Sequence, residues 1–148
     1  MLQIRMSRAG ATARELGNGV EFYPGFPRRA QSLQAAAATA TATAAWCLDA
    51  GLPVRARFIS YEESGVGESM VIDVKRIPLD AAAVSILLAP VAFPQNSAEG
   101  IVVLPLDPAA RLVAGDQISV VRTYVAGGGP TMAATVVILD YAEGAQPV

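Results

Sequence analysis

The chain has 148 residues, enough for one domain with a real core, and its 11 basic and 13 acidic residues leave a net charge of -2. That near-balance excludes a broad basic field for nucleic acid, the single Cys47 excludes an intramolecular disulfide, and the lack of histidine removes the commonest general base and transition-metal ligand. Apolar residues make up 53% and charged residues 16%, against roughly 25% charged in ordinary domains, so much of the surface is expected to be buried between subunits.

Residues 1–35 read as an extended N-terminal arm. They hold Gly10, Gly17, Gly19, Pro24, Gly25 and Pro27, with one short strand candidate at Val20–Tyr23. Arg5, Arg8, Arg14, Arg28 and Arg29 make the arm basic. Phe22, Tyr23 and Phe26, stiffened by Pro24 and Pro27, are its candidate anchors. No continuous apolar stretch near the start matches a secretory signal, so none is expected.

The domain proper is expected over residues 36–148. Its opening stretch, QAAAATATATAAW at 34–46, has a helix-forming composition. The spacing of Thr39, Thr41 and Thr43 is nevertheless period two, and β-branched threonine favours a strand. A strand at a close sheet or subunit contact is preferred over a low-complexity tether or a helix. LPVRARFISYE from Leu52 and ESMVIDVKRI from Glu68 alternate similarly. The links Asp49-Ala50-Gly51 and Ser64-Gly65-Val66-Gly67 suggest hairpin turns. LDAAAVSILLAP is either a short helix ended by Pro90 or a crossover with a short strand. EGIVVLPL is a strand and DPAARLVAGD a loop. GDQISVVRTYVAG and TMAATVVILDYA are two long strands, with Gly127-Gly128-Gly129-Pro130 read as a further hairpin. Recurrent strands with few helices imply an all-β fold, an antiparallel β-sandwich or jelly roll. Its expected core is Trp46, Leu52, Val54, Phe58, Met70, Ile72, Val74, Ile118, Val120, Val136 and Ile138.

Candidate chemistry is thin. Glu62, Glu63 and Glu68 flank a glycine loop and read as solvated turn charges rather than a catalytic pair. Asp107, Asp116 and Asp140 lack the spacing of a hard-cation loop. No serine sits in a Gly-x-Ser-x-Gly elbow, and Cys47 reads as a buried small hydrophobe. Arg28-Arg29 and Arg55/Arg57 read as solvated or locally paired charge rather than phosphate sites. No run of about 20 apolar residues is free of interruption by Gly, Pro or charge, so no membrane span is expected. The expectation is a protein that is not an enzyme, without cofactor or metal, and with neither nucleic acid nor membrane as partner.

WCLDAGLPVRARFISYEE, then VIDVKR, RLVAGDQISVVRTYV and TMAATVVILDY, resemble in order and spacing small jelly-roll structural proteins of tailed bacteriophages. The match covers about residues 44–142, and its Leu112-x-x-Gly115-Asp116-x-Ile118 element also occurs in many other β proteins. The resemblance implies a head decoration, or cement, protein on the virion surface, made in the host bacterial cytoplasm, whose partner is the major capsid protein. Such a protein bridges capsomers and acts mechanically. The low charge adds a homo-oligomer, a trimer before a dimer. The competing reading is a receptor- or glycan-binding head-fiber or tail module, which an exposed aromatic groove would favour. Capsid or subunit contacts are expected at Arg5, Arg8, Arg14, Phe22, Tyr23, Phe26, Arg28, Arg29, Thr39, Thr41 and Thr43.

Overall fold

Period-two alternation becomes strand throughout, and no helix occurs among the described residues. The computed structural model describes residues 25–144 in full, together with the backbone of Arg14–Leu16, Val20–Tyr23 and Gln146–Pro147. The strands in chain order are β1 (Arg14–Leu16), β2 (Val20–Tyr23), β3 (Phe26–Gln34), β4 (Ala40–Trp46), β5 (Gly51–Ser60) and β6 (Ser69–Ile77). There follow β7 (Val84–Ser85), β8 (Val91–Ala92), β9 (Gly100–Leu104), β10 (Gln117–Val125), β11 (Thr135–Glu143) and β12 (Gln146–Pro147). A four-stranded sheet runs β3-β11-β5-β9 and a five-stranded sheet runs β4-β10-β6-β7, with β8 also on β6. All their pairings are antiparallel. The two sheets pack as a β-sandwich, and consecutive long strands lie in opposite sheets. β2 joins β1 to β12 in a separate small ladder.

That alternation corrects three expected hairpins. β4 pairs with β10 rather than β5, β5 with β11 and β9 rather than β6, and β10 with β6 rather than β11. The glycine links cross between sheets. Two of them lock together at one end: Val66 bridges Gly128, with each N–H donating to the other's carbonyl at 2.9 Å. A Cβ on Gly65 would strike the Gly128 and Pro130 carbonyls, and one on Gly127 would strike the backbone of Val66 and Glu68. Glycine is required there by backbone proximity, not by a tight turn. At the other end Cys47 N–H donates to the Asp116 carbonyl and Gly115 N–H to the Cys47 carbonyl, both at 2.8 Å. Gly115, at φ 89°, and the buried Leu112 and Asp116 thus give the Leu-x-x-Gly-Asp element a structural task in this corner.

The arm boundary also moves. Residues 26–34, expected within the arm, are β3, hydrogen-bonded along β11 from Phe26↔Glu143 to Gln34↔Thr135. Ala30 and Ser32 face the interior, so this segment is an edge strand of the sandwich. Val20–Tyr23 is a strand as expected. The rest of the expected arm, 1–13, 17–19 and Pro24, lies outside the described residues.

The core is built on Phe58, Met70, Ile72, Val74, Ile86, Leu104, Leu112, Ile118, Val120, Met132, Val137 and Leu139. Phe58 meets Phe93 edge to face at 5.4 Å between ring centres. The segment between Leu79 and Phe93 takes the crossover alternative. β7 and β8 pair with opposite ends of β6, while Ile86, Leu87 and Phe93 are buried. Five expected core residues lie outside the buried core. Trp46 is 63% and Val54 64% exposed, each beside a bulge. Ala44 is the extra residue where β4 meets β10, and Val54 is the extra residue where β5 meets β11. Each bulge resets the alternation. Val136 and Ile138 are half-buried on the outer face, and Val137 and Leu139 take the core. Leu52 is half-buried.

Phe58→Ala should cost about 3–5 kcal/mol in denaturant titration, and Val137→Ala should cost more than Val136→Ala. Equal losses for the two valines would contradict the assigned face of β11.

Candidate interaction surfaces

The interior polar groups are tied up in structure. Glu68, expected as a solvated turn charge, is 1% exposed. Its Oε2 accepts from Gly65 N–H at 2.7 Å, and its Oε1 accepts from Met132 N–H at 2.8 Å and the Tyr124 hydroxyl at 2.9 Å. Burial first, then the bond to Glu68, raises the Tyr124 pKa. Asp116 accepts from Val113 N–H at 2.8 Å and Arg76 Nη1 at 3.0 Å. Asp107 receives the Ala109 N–H at 2.9 Å. Among the described residues no group of three acidic or cysteine side chains is placed to hold a metal ion. Cys47 is buried. Burial, with Asp116 and Glu143 adding to it, pushes its thiol up to about 11, so it stays protonated and unreactive at neutral pH.

Arg122, which the sequence reading passed over, is fully buried between the sheets. It donates from Nη1 to the Ser32 hydroxyl at 2.9 Å and from Nη2 to the Ser32 carbonyl at 2.7 Å. Its Nε has no partner among the described residues, and burial lowers its pKa. The signal was available: Arg122 shares the parity of Ile118 and Val120, both interior.

The outer face of the four-stranded sheet is two-part. In one half, Arg29 Nε lies 2.7 Å from Asp140 Oδ1, while Arg55 and Arg57 Nη2 lie 3.2 and 3.1 Å from Oδ2. One carboxylate thus faces three guanidinium groups. The Arg29 hydrogen bond is the main cause that holds the Asp140 carboxyl below its ordinary range, assisted by Arg55 and Arg57 and opposed by burial. In the other half, register aligns Leu33, Val136, Ile59 and Ile101 in one cross-strand row. Val103 stands opposite Arg57 in the next. Leu33, Ile101 and Val103 are 69%, 61% and 66% exposed.

The outer face of the five-stranded sheet is of another kind. Thr39, Thr41 and Thr43 are exposed along the free edge strand and its approach. Tyr124 N–H donates to Thr39 Oγ1 at 2.9 Å, and Gln117 Nε2 donates to Thr43 Oγ1. At its end, Trp46 pairs with Gln117, and Gln117 with Ile77. Leu79 lies over Gly115 and shares a groove with Asp80 and Val113. A second groove, toward the other sheet, is lined by Leu52, Pro53, Val54, Leu106, Asp107, Pro108, Ala110 and Arg111. Neither has an aromatic lining.

The expected contact residues therefore scatter. Arg28 pairs with Glu143 at 3.2 Å and Arg29 with Asp140, so both belong to the sandwich. Phe26 is 41% exposed at the start of β3. Arg14 lies on β1, and Phe22 and Tyr23 lie on β2, where the backbone alone is described. Arg5 and Arg8 lie outside the described residues.

Asp140→Asn should lower the melting temperature at pH 7, and the gap from wild type should close under acid. A carboxyl whose native pKa is depressed contributes fully above its unfolded pKa of about 3.9. The contribution is lost as pH falls through the lower native value. A gap that does not narrow as the pH falls below about 3.9 would contradict the electrostatic origin.

No family model, curated protein or solved structure matches the chain.

Proposed function

We propose that this protein is a structural component of a virion, a decoration protein that binds the outer surface of a tailed-phage head and bridges its capsomers. The observation that carries the reading is a charge-poor sandwich with large exposed apolar side chains on the outer face of the four-stranded sheet and at one end of the five-stranded sheet. Leu33, Trp46, Leu48, Leu79, Ile101 and Val103 are each more than 60% exposed. Exposed apolar area on this scale marks contact with other proteins. The sequence resemblance supplies the identity of the partner, the major capsid protein. Many copies, each held by modest contacts, would gain by multivalency. The Thr39-Thr41-Thr43 edge adds an uncharged strand with free backbone groups, open to pairing. An exposed aromatic groove, which a glycan- or receptor-binding module would want, is not among the two grooves described above.

The test uses bare heads built from the cognate major capsid protein. Deletion of residues 1–18 leaves β3 in place, so the sandwich should still fold, while head occupancy should drop by about tenfold or more through loss of one set of contacts. Phe22→Ala with Phe26→Ala should act in the same direction. Full occupancy by the truncated, folded protein would refute a role for the arm, and failure of the intact protein to bind any such head would refute decoration itself.

A further inference from the structure

Two exposed apolar patches lie on different sides of the sandwich and carry opposite charge. The first, on the outer face of the four-stranded sheet, joins Leu33, Ile101 and Val103 to the arginine row. Among the described residues, Arg29, Arg55 and Arg57 there share the single carboxylate of Asp140 as ion-pair partner. The second, at the end of the five-stranded sheet, joins Trp46, Leu48, Leu79 and Val113, which are 63%, 80%, 80% and 50% exposed. Its charges are Asp49 beside Leu48 and Asp80 in the groove with Leu79 and Val113. Arg76 is already paired with Asp116, and Arg111 turns away to the Pro108 and Ala110 carbonyls.

We infer that these patches are the two halves of one contact between copies of this chain. The arginine-bordered face of one copy seats the Trp46–Leu79 end of the next, head to tail, and the series closes into a ring. Neither patch suits its own copy, because face to face each would oppose like charges at close range. Different surfaces in contact define a heterologous interface, which closes into a ring or grows without limit. The exposed tryptophan at the end of β4 is the kind of anchor that dominates such contacts, and arginine is its natural cover. The inference gives a geometry to the homo-oligomer expected from the low charge and stands apart from the proposed head decoration, because it is tested on the purified chain alone.

The experiment is sedimentation velocity at tens of micromolar with wild type, Val103→Glu and Leu79→Glu. Both substituted side chains are exposed, so circular dichroism and melting should match wild type. Wild type should sediment as a closed oligomer and each variant as a monomer. An equal mixture of the two variants should give a species of twice the monomer mass, because the mixture restores one intact contact between unlike chains and no more. A monomeric wild type, open-ended growth with concentration, a variant that keeps the wild-type mass, or a mixture that stays monomeric would each overturn the proposal. Loss of head binding with ring formation intact would instead count against decoration alone.

Discussion

The fold depends on a buried carboxylate. Glu68 sits where the chain leaves one sheet for the other, and it takes hydrogen bonds from two backbone N–H groups and a tyrosine hydroxyl. In a hairpin protein the turn itself would hold neighbouring strands together. Here consecutive long strands lie in opposite sheets, so no turn joins two long strands of one ladder and the sandwich's ends need another fastening. At one end Glu68 fastens the Gly65 loop to the Met132 loop. At the other, Asp116 holds Val113 N–H and Arg76. A neutral, apolar replacement at either site would leave buried donors without acceptors, which is the expensive way to lose a hydrogen bond.

Strand conformation was legible because alternation is a local signal, strong in SMVIDVKRI and QISVVRTYV. Even the alanine–threonine run declared itself through the spacing of its threonines. Pairing was not legible in the same way. A glycine-rich link between two strands looks alike whether it turns back in the sheet or crosses to the other one. What separates the cases here is the fit of Gly65 against Gly128 and Gly127 against Glu68, which is a contact between distant segments. The side of β11 was misread because Thr-Val-Val-Ile-Leu is apolar on both faces. Asp140 could have decided it, since a carboxylate in step with Val136 and Ile138 turns that face outward. Bulges at Ala44 and Val54 leave no mark in sequence, and they moved Trp46 and Val54 out of the core. The candidate contact residues were legible as residue types only, because Arg28 and Arg29 look like a free basic pair until Glu143 and Asp140 are brought alongside.

The low charge count has a plain structural meaning. Many of the charged side chains present are spent inside the molecule. Glu68, Asp116, Arg122 and Glu143 are buried, and Asp140 is enclosed by arginines. Of the exposed edge strand β4 only threonine, alanine and tryptophan remain on view, and half of the outer face of the four-stranded sheet is valine, isoleucine and leucine beside the arginine cluster. A surface so made interacts with water poorly and with flat protein surfaces well.

The pairing of β3 with β11 also fixes when the protein can assemble. Phe26 pairs across the sheet with Glu143, so β3 must wait for a neighbour made long after it in the chain. Until then the growing chain holds β3, β5 and β9 without the strand that lies between β3 and β5, and their edges stay open. Distant pairings of this kind are slow to form because the loop must close before any contact rewards it. The nascent chain therefore spends its exposed interval with the four-stranded sheet incomplete, and it is in that interval, more than in the finished molecule, that chaperones would have the most to hold.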